Sequence, residues 1–84
     1  MGGNEAKPVE GASEDHKGYT VTAIPESRGG QYQTVGEIRR TDSDDERVHK
    51  FIRADVHPSF EQACQHALLK GKQIIDERGE SVLD

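Results

Sequence analysis

Apolar positions in this 84-residue chain follow two different periods. From Ser59 to Gly79 they recur every three or four residues, as Phe60, Ala63, Cys64, Ala67, Leu68, Gly71, Ile74 and Ile75. At about 100° per residue these side chains span an arc of roughly 140°, which predicts one amphipathic helix. Gln62, Gln65, Lys72, Gln73, Asp76 and Glu77 occupy the opposite side. Ser59 stands where an N-cap hydroxyl belongs, with Gln62 three residues on. Gly79 is the residue type that tolerates the positive φ of a helix end.

Upstream the period is two. In Lys17–Ile24, Tyr19, Val21 and Ala23 share one parity, and Pro25 ends the run because it cannot donate to a ladder. Gly29 and Gly30 follow in the turn PESRGG, where a hairpin needs positive φ. Gln31–Arg39 forms a second run, with Tyr32, Thr34, Gly36 and Ile38 alternating against Gln33, Val35, Glu37 and Arg39. Gly36 in mid-strand signals a bulge or a close approach by the helix backbone. Arg47–Val56 forms a third run in which Phe51 and Ile52 fall on opposite parities. The pattern leaves open which of them meets the helix. His57-Pro58 leads into the helix, and Val82 and Leu83 lie beyond its end.

Three strands with short connections pair antiparallel, and one sheet face covers the helix stripe. The expected fold is α+β: a three-stranded antiparallel sheet packed against one C-terminal helix, in the order β-β-β-α. Residues 1–16 (MGGNEAKPVEGASEDH) are polar, Gly-containing and acidic, which predicts a disordered N-terminal tail. The expected domain is therefore residues 17–84. With 31% hydrophobic residues and no Trp, so small a core is marginal, and dimerisation would supplement it.

The net charge of -5 is unevenly spread. Residues 1–16 hold one base against four acids, 17–53 hold seven against six, and 54–84 hold three against six. Overall acidity opposes indiscriminate nucleic-acid or membrane binding, so only the middle third could assemble a positive face. The single Cys64 excludes an internal disulfide and fits a reducing cytosol. Its place on the apolar stripe predicts a buried, inert thiol. No N-terminal signal and no span of about 20 apolar residues is present, so the expected location is cytoplasmic.

Candidate chemistry is sparse. Asp42-Ser43-Asp44-Asp45-Glu46 lacks the Gly and Glu that a calcium loop requires, since Arg47 and Arg53 stand there. His16, His49, His57 and His66 lack zinc-ligand spacing, and His66 falls on the polar side of the helix. Neither a metal nor another cofactor is expected. No nucleophile lies in a recognisable catalytic context, so the chain reads as a non-enzyme. Arg28, Arg39, Arg40, Lys50 and Arg53, with Tyr19 and Tyr32 between them, are the candidate DNA contacts. Cross-strand pairing with Glu37, Asp55 and the acidic loop explains the same arginines without DNA. An exposed Leu69, with Val35 or Phe51 open on the second sheet face, would instead suit a protein partner or homodimer.

Several segments resemble the small bacterial HlyU family: Gly18-Tyr19-Thr20-Val21-Thr22, Gly29-Gly30-Gln31-Tyr32, Gly36-Glu37-Ile38, His49-Lys50-Phe51-Ile52-Arg53-Ala54-Asp55, and Gly71-Lys72-Gln73-Ile74-Ile75-Asp76-Glu77-Arg78-Gly79. The resemblance covers residues 17–84 and implies a transcription-associated regulator that acts by binding. The order β-β-β-α is also similar to the plant ethylene-response-type and phage-integrase arm-binding domains, which read DNA from the sheet. The alternative is a protein-interaction or homodimerisation module with no nucleic-acid role.

Overall fold

The computed structural model describes residues 12–41 and 43–84. The elements are β1 (Ala12–His16), β2 (Tyr19–Ala23), β3 (Glu26–Arg28), β4 (Gln31–Arg40), β5 (Val48–His57) and α1 (Phe60–Arg78), followed by a 3-10 turn over Gly79–Ser81. Every strand pairing is antiparallel. β2 lies against Gly36–Arg40 of β4 and β3 against Gln31–Gln33, so the two share one edge of β4. β5 takes the other edge of β4, and β1 flanks β2. The helix packs on one face of this sheet, as the two-layer reading requires.

The sheet has five strands rather than three. β3 arises where the turn PESRGG was expected: the chain breaks at Ile24-Pro25 and then rejoins β4 for three more residues. β1 forms from residues assigned above to the tail, and residues 1–11 lie outside the described part. A two-residue turn joins β1 to β2, with Lys17 at φ 52° and Gly18 at φ 86°, the double positive φ of a type I′ hairpin. Partners on the helix then hold the strand. Glu14 pairs with Lys72, and Asp76 meets His16 at 2.9 Å and Lys17 at 2.8 Å. Local composition opposes a strand here, and long-range pairing overrides it.

The core joins Tyr19, Val21 and Ala23 of β2 to Ile38, Phe51, Cys64, Ala67 and Ile75, with Val82 and Leu83 tucked beneath the helix end. The Ser59 hydroxyl accepts the Gln62 N–H at 3.1 Å. Gly79, at φ 58°, donates its N–H to the Ile75 carbonyl. Gly71 seats the helix on β2. A Cβ there would lie 2.4 Å from Val21 Cγ1 and 3.0 Å from Cγ2, so only glycine permits this spacing. Gly36 is also a close approach, though not to the helix backbone. The ring of its cross-strand partner Phe51 lies over it, and a Cβ would come within 2.4 Å of Phe51 Cζ.

A bulge fixes the course of β5. Between the pairs Gln33↔Val56 and Val35↔Ile52, Thr34 alone stands opposite Arg53, Ala54 and Asp55. Two extra residues preserve the side-chain alternation, so Phe51 and His57 both point to the helix side and Ile52 points away. His57 there meets His66, whose ring turns inward toward β4 instead of lying on the polar face. Thr34, with no exposed surface, places Oγ1 3.0 Å from His57 Nε2 and 2.9 Å from His66 Nδ1. Burial lowers the pKa of His66, against the opposing pull of Asp55.

Candidate interaction surface

The sheet face turned away from the helix is fixed by the pairings Arg39↔Val48, Glu37↔Lys50, Val35↔Ile52 and Gln33↔Val56. Directly paired residues share a face. Along β5 this face presents Val48, Lys50, Ile52, Ala54 and Val56. Val48, Ile52 and Val56 are 43%, 57% and 42% exposed. Three large aliphatic side chains at four-residue intervals therefore form an open stripe along an edge strand. Val35 and Phe51, the residues expected to be open for a partner, are instead buried. Leu69 is exposed, on the helix.

The basic candidates separate. Arg28 is held by Glu26 at 3.1 Å and Gln33 at 2.8 Å, and Arg39 by Glu37 at 3.1 Å. Both are on the outer face, as is Lys50. Arg40 lies on the helix side, 5.0 Å over the Tyr19 ring and 3.6 Å from Asp45. Arg53 sits in the β5 bulge. The Asp45 carboxyl is held well below the usual carboxylate range, chiefly by hydrogen bonds from the Arg47 side chain and backbone. Among the described residues, Lys50 and Arg53 have no carboxylate within ion-pair distance. Tyr19 and Tyr32 do not interleave with the basic side chains of the outer face. Tyr19 is in the core, and Tyr32 stands edge-on to Phe60 at 5.7 Å.

Residues 1–83 match the family model described as "Transcriptional activator HlyU". The chain belongs to the HlyU family. No curated protein and no solved structure matches it. The description of that family names a role in transcription activation.

Other features of this HlyU-family chain offer little reaction chemistry. A groove of about 290 Å³ between β1 and α1 is lined by Ala12, Phe60, Glu61, Cys64, Gln65 and Leu68. Among the described residues its walls are mainly apolar, with Glu61 their only charged group. Burial raises the Cys64 pKa above its ordinary value, which suits an unreactive thiol. The order Thr34–His66–Asp55 places hydroxyl, imidazole and carboxylate in sequence, but the Thr34 side chain is sealed from any substrate. Among the described residues, no three His, Cys, Asp or Glu side chains gather around a common metal position. None of the described helices is long and apolar enough to cross a membrane.

Sequence reasoning missed the Val48–Ile52–Val56 stripe. Its signal was present in the even-numbered positions of β5, but the adjacent Phe51 and Ile52 offered each face one large apolar residue. The bulge that resolves them depends on strand register and has no local sequence mark.

Proposed function

We propose that this HlyU-family protein takes part in transcription regulation as a non-catalytic binding module that pairs with a second copy of itself through the outer face of β5. The observation that carries this reading is the stripe Val48, Lys50, Ile52, Ala54, Val56, whose three large aliphatic side chains are open to solvent and fall in the symmetric order Val-Ile-Val about Ile52. An isologous two-fold contact requires such self-complementarity. It sets Ile52 against its own copy and Val48 against Val56. The bulge at Arg53–Asp55 twists the β5 edge away from continuous ladder pairing, so the faces make the contact. The charges on the same face largely cancel within each chain, through Glu26–Arg28 and Glu37–Arg39, which suits a protein neighbour.

Sedimentation equilibrium of the full chain over about 10 µM to 1 mM covers the range of a weak homodimer. Burying the exposed half of two Ile52 side chains is worth about 2–3 kcal/mol, so Ile52→Lys should weaken the dimer roughly 30- to 150-fold. A wild-type chain that stays monomeric at the highest concentration refutes the dimer.

The second reading is DNA contact from the sheet, favoured by Lys50 and Arg53, which have no carboxylate partner among the described residues. Binding of duplex DNA at two salt concentrations tests it. Each neutralised phosphate contributes a log–log slope of about -0.9. A slope unchanged in Lys50→Ala/Arg53→Ala removes these two residues from any DNA contact.

A further inference from the structure

We propose that His57 and His66 form a binding site for one divalent late-transition-metal ion such as Zn²⁺ or Ni²⁺, with the Thr34 hydroxyl as third donor and Asp55 as the outer carboxylate. The site lies on the helix side of the sheet, where the β5 bulge meets α1, and it is independent of the outer-face stripe.

Three donor atoms converge there. His57 Nε2 and His66 Nδ1 are 3.1 Å apart, and Thr34 Oγ1 lies 3.0 and 2.9 Å from them. The triangle is close to equilateral. Ligands bound at about 2.1 Å with right angles between them stand about 3.0 Å apart, so the triangle has the dimensions of one face of a coordination octahedron. The ring centres give a second measure. They are 4.8 Å apart at an interplanar angle of 65°. Two imidazoles bound to one ion at about 2.05 Å, with an angle near 100°, put their nitrogens about 3.1 Å and their centres about 4.9 Å apart. Centres farther apart than nitrogens mean that the nitrogens are the converging ends.

Proton placement leaves one edge of the triangle without a hydrogen. Asp55 Oδ2 lies 3.4 Å from His66 Nε2 and favours the tautomer with its proton on that nitrogen. His66 Nδ1 is then a bare lone pair aimed at the other two atoms. The Thr34 hydroxyl has one hydrogen and His57 Nε2 has at most one, so two hydrogens serve three edges. A cation at the apex would satisfy all three donors at once. Carboxylate, imidazole and ion then stand in the order that holds a metal-binding ring in orientation. Imidazole nitrogens select zinc, copper, nickel and iron over magnesium or calcium. The side chains of His66 and Asp55 are 20% and 54% exposed, so water reaches the site from the His66 side, while Thr34 closes it from the interior. Two imidazoles and a hydroxyl form a weaker set than the four ligands of a structural zinc site. The affinity expected is therefore micromolar.

The test is calorimetric titration of the untagged full chain with Zn²⁺ and with Ni²⁺, alongside ¹⁵N spectra of the histidine rings. One ion per chain should bind and shift the resonances of His57 Nε2 and His66 Nδ1, leaving His16 and His49 unmoved. His57→Ala should abolish binding. Asp55→Asn, at an exposed position whose loss leaves the core intact, should weaken it about 10- to 100-fold. His16→Ala/His49→Ala should leave it unchanged. Failure of wild type to bind at 100-fold molar excess overturns the site, as does binding that shifts only His16 or His49. If His57→Ala does not fold, the wild-type ring shifts and Asp55→Asn still decide.

Discussion

Gly71→Ala sets two effects of known sign against each other. In an isolated helix the change is favourable, because Ala at an interior position is better than Gly by about 1 kcal/mol. In this fold the new Cβ would lie 2.4, 3.0 and 3.3 Å from three atoms of Val21. Val21 cannot yield easily. It is fully buried, its χ1 is restricted by β-branching, and it stands in the middle of β2. Overpacking of this kind costs about 1–3 kcal/mol, and distances this short point to the upper end. The net expectation is a loss of about 1–2 kcal/mol, which lowers the melting temperature by roughly 5–15 °C for a domain of this size. Urea unfolding followed by circular dichroism measures it. Val21→Ala alone should cost about 2–3 kcal/mol through the cavity it opens. In the double variant the methyl group introduced in place of Gly71 enters the space vacated by Val21. The two losses should then fall short of additivity by about 1–2 kcal/mol. A Gly71→Ala variant as stable as wild type, and strictly additive with Val21→Ala, would show that the helix is not seated on β2 at this point.

Further outcomes follow from single contacts. Ser59→Ala removes the acceptor for the Gln62 N–H and should cost about 1 kcal/mol in the same unfolding assay, with Ser59→Asp restoring most of it. Burial, with the Arg78 charge nearby, holds His49 below its ordinary pKa of 6.5. The unfolded chain therefore binds that proton more readily. The stabilisation is complete above pH 6.5 and is lost as the pH falls below it. Urea midpoints at pH 7.5 and 5.5 should differ less in His49→Gln than in wild type, and an equal difference refutes the assignment. Asp76, whose carboxyl is depressed by hydrogen bonds from Lys17 and His16, acts only at lower pH and does not confuse this comparison.

Much of the architecture can be read from the chain alone. The three- and four-residue spacing from Phe60 to Ile75 defines the helix and its buried face, because that period is a local property of backbone geometry. Ser59 and Gly79 mark its ends for equally local reasons. The alternation in β2 and β4 groups Tyr19, Val21 and Ala23 on one face and sets Ile38 on one parity with Gly36, while packing decides which parity of β4 meets the helix. The other features depend on partners distant in sequence. β1 is polar and gains its place from Glu14–Lys72 and His16–Asp76, pairs that exist only once the helix crosses the sheet. The orientation of Phe51 and Ile52 follows from a register shift opposite Thr34, which no composition reveals. The open β5 stripe follows from the same register, whereas Arg28 and Arg39 are neutralised by Glu26 and Glu37 two residues away on their own strands. Likewise His57 and His66 are nine residues apart, with no ligand-like spacing, and Thr34 is more than twenty residues before either. Only the folding of α1 back over the β5 bulge brings their three donor atoms within 3.1 Å of one another. Periodicity decides which way each segment faces, and packing decides which segments meet.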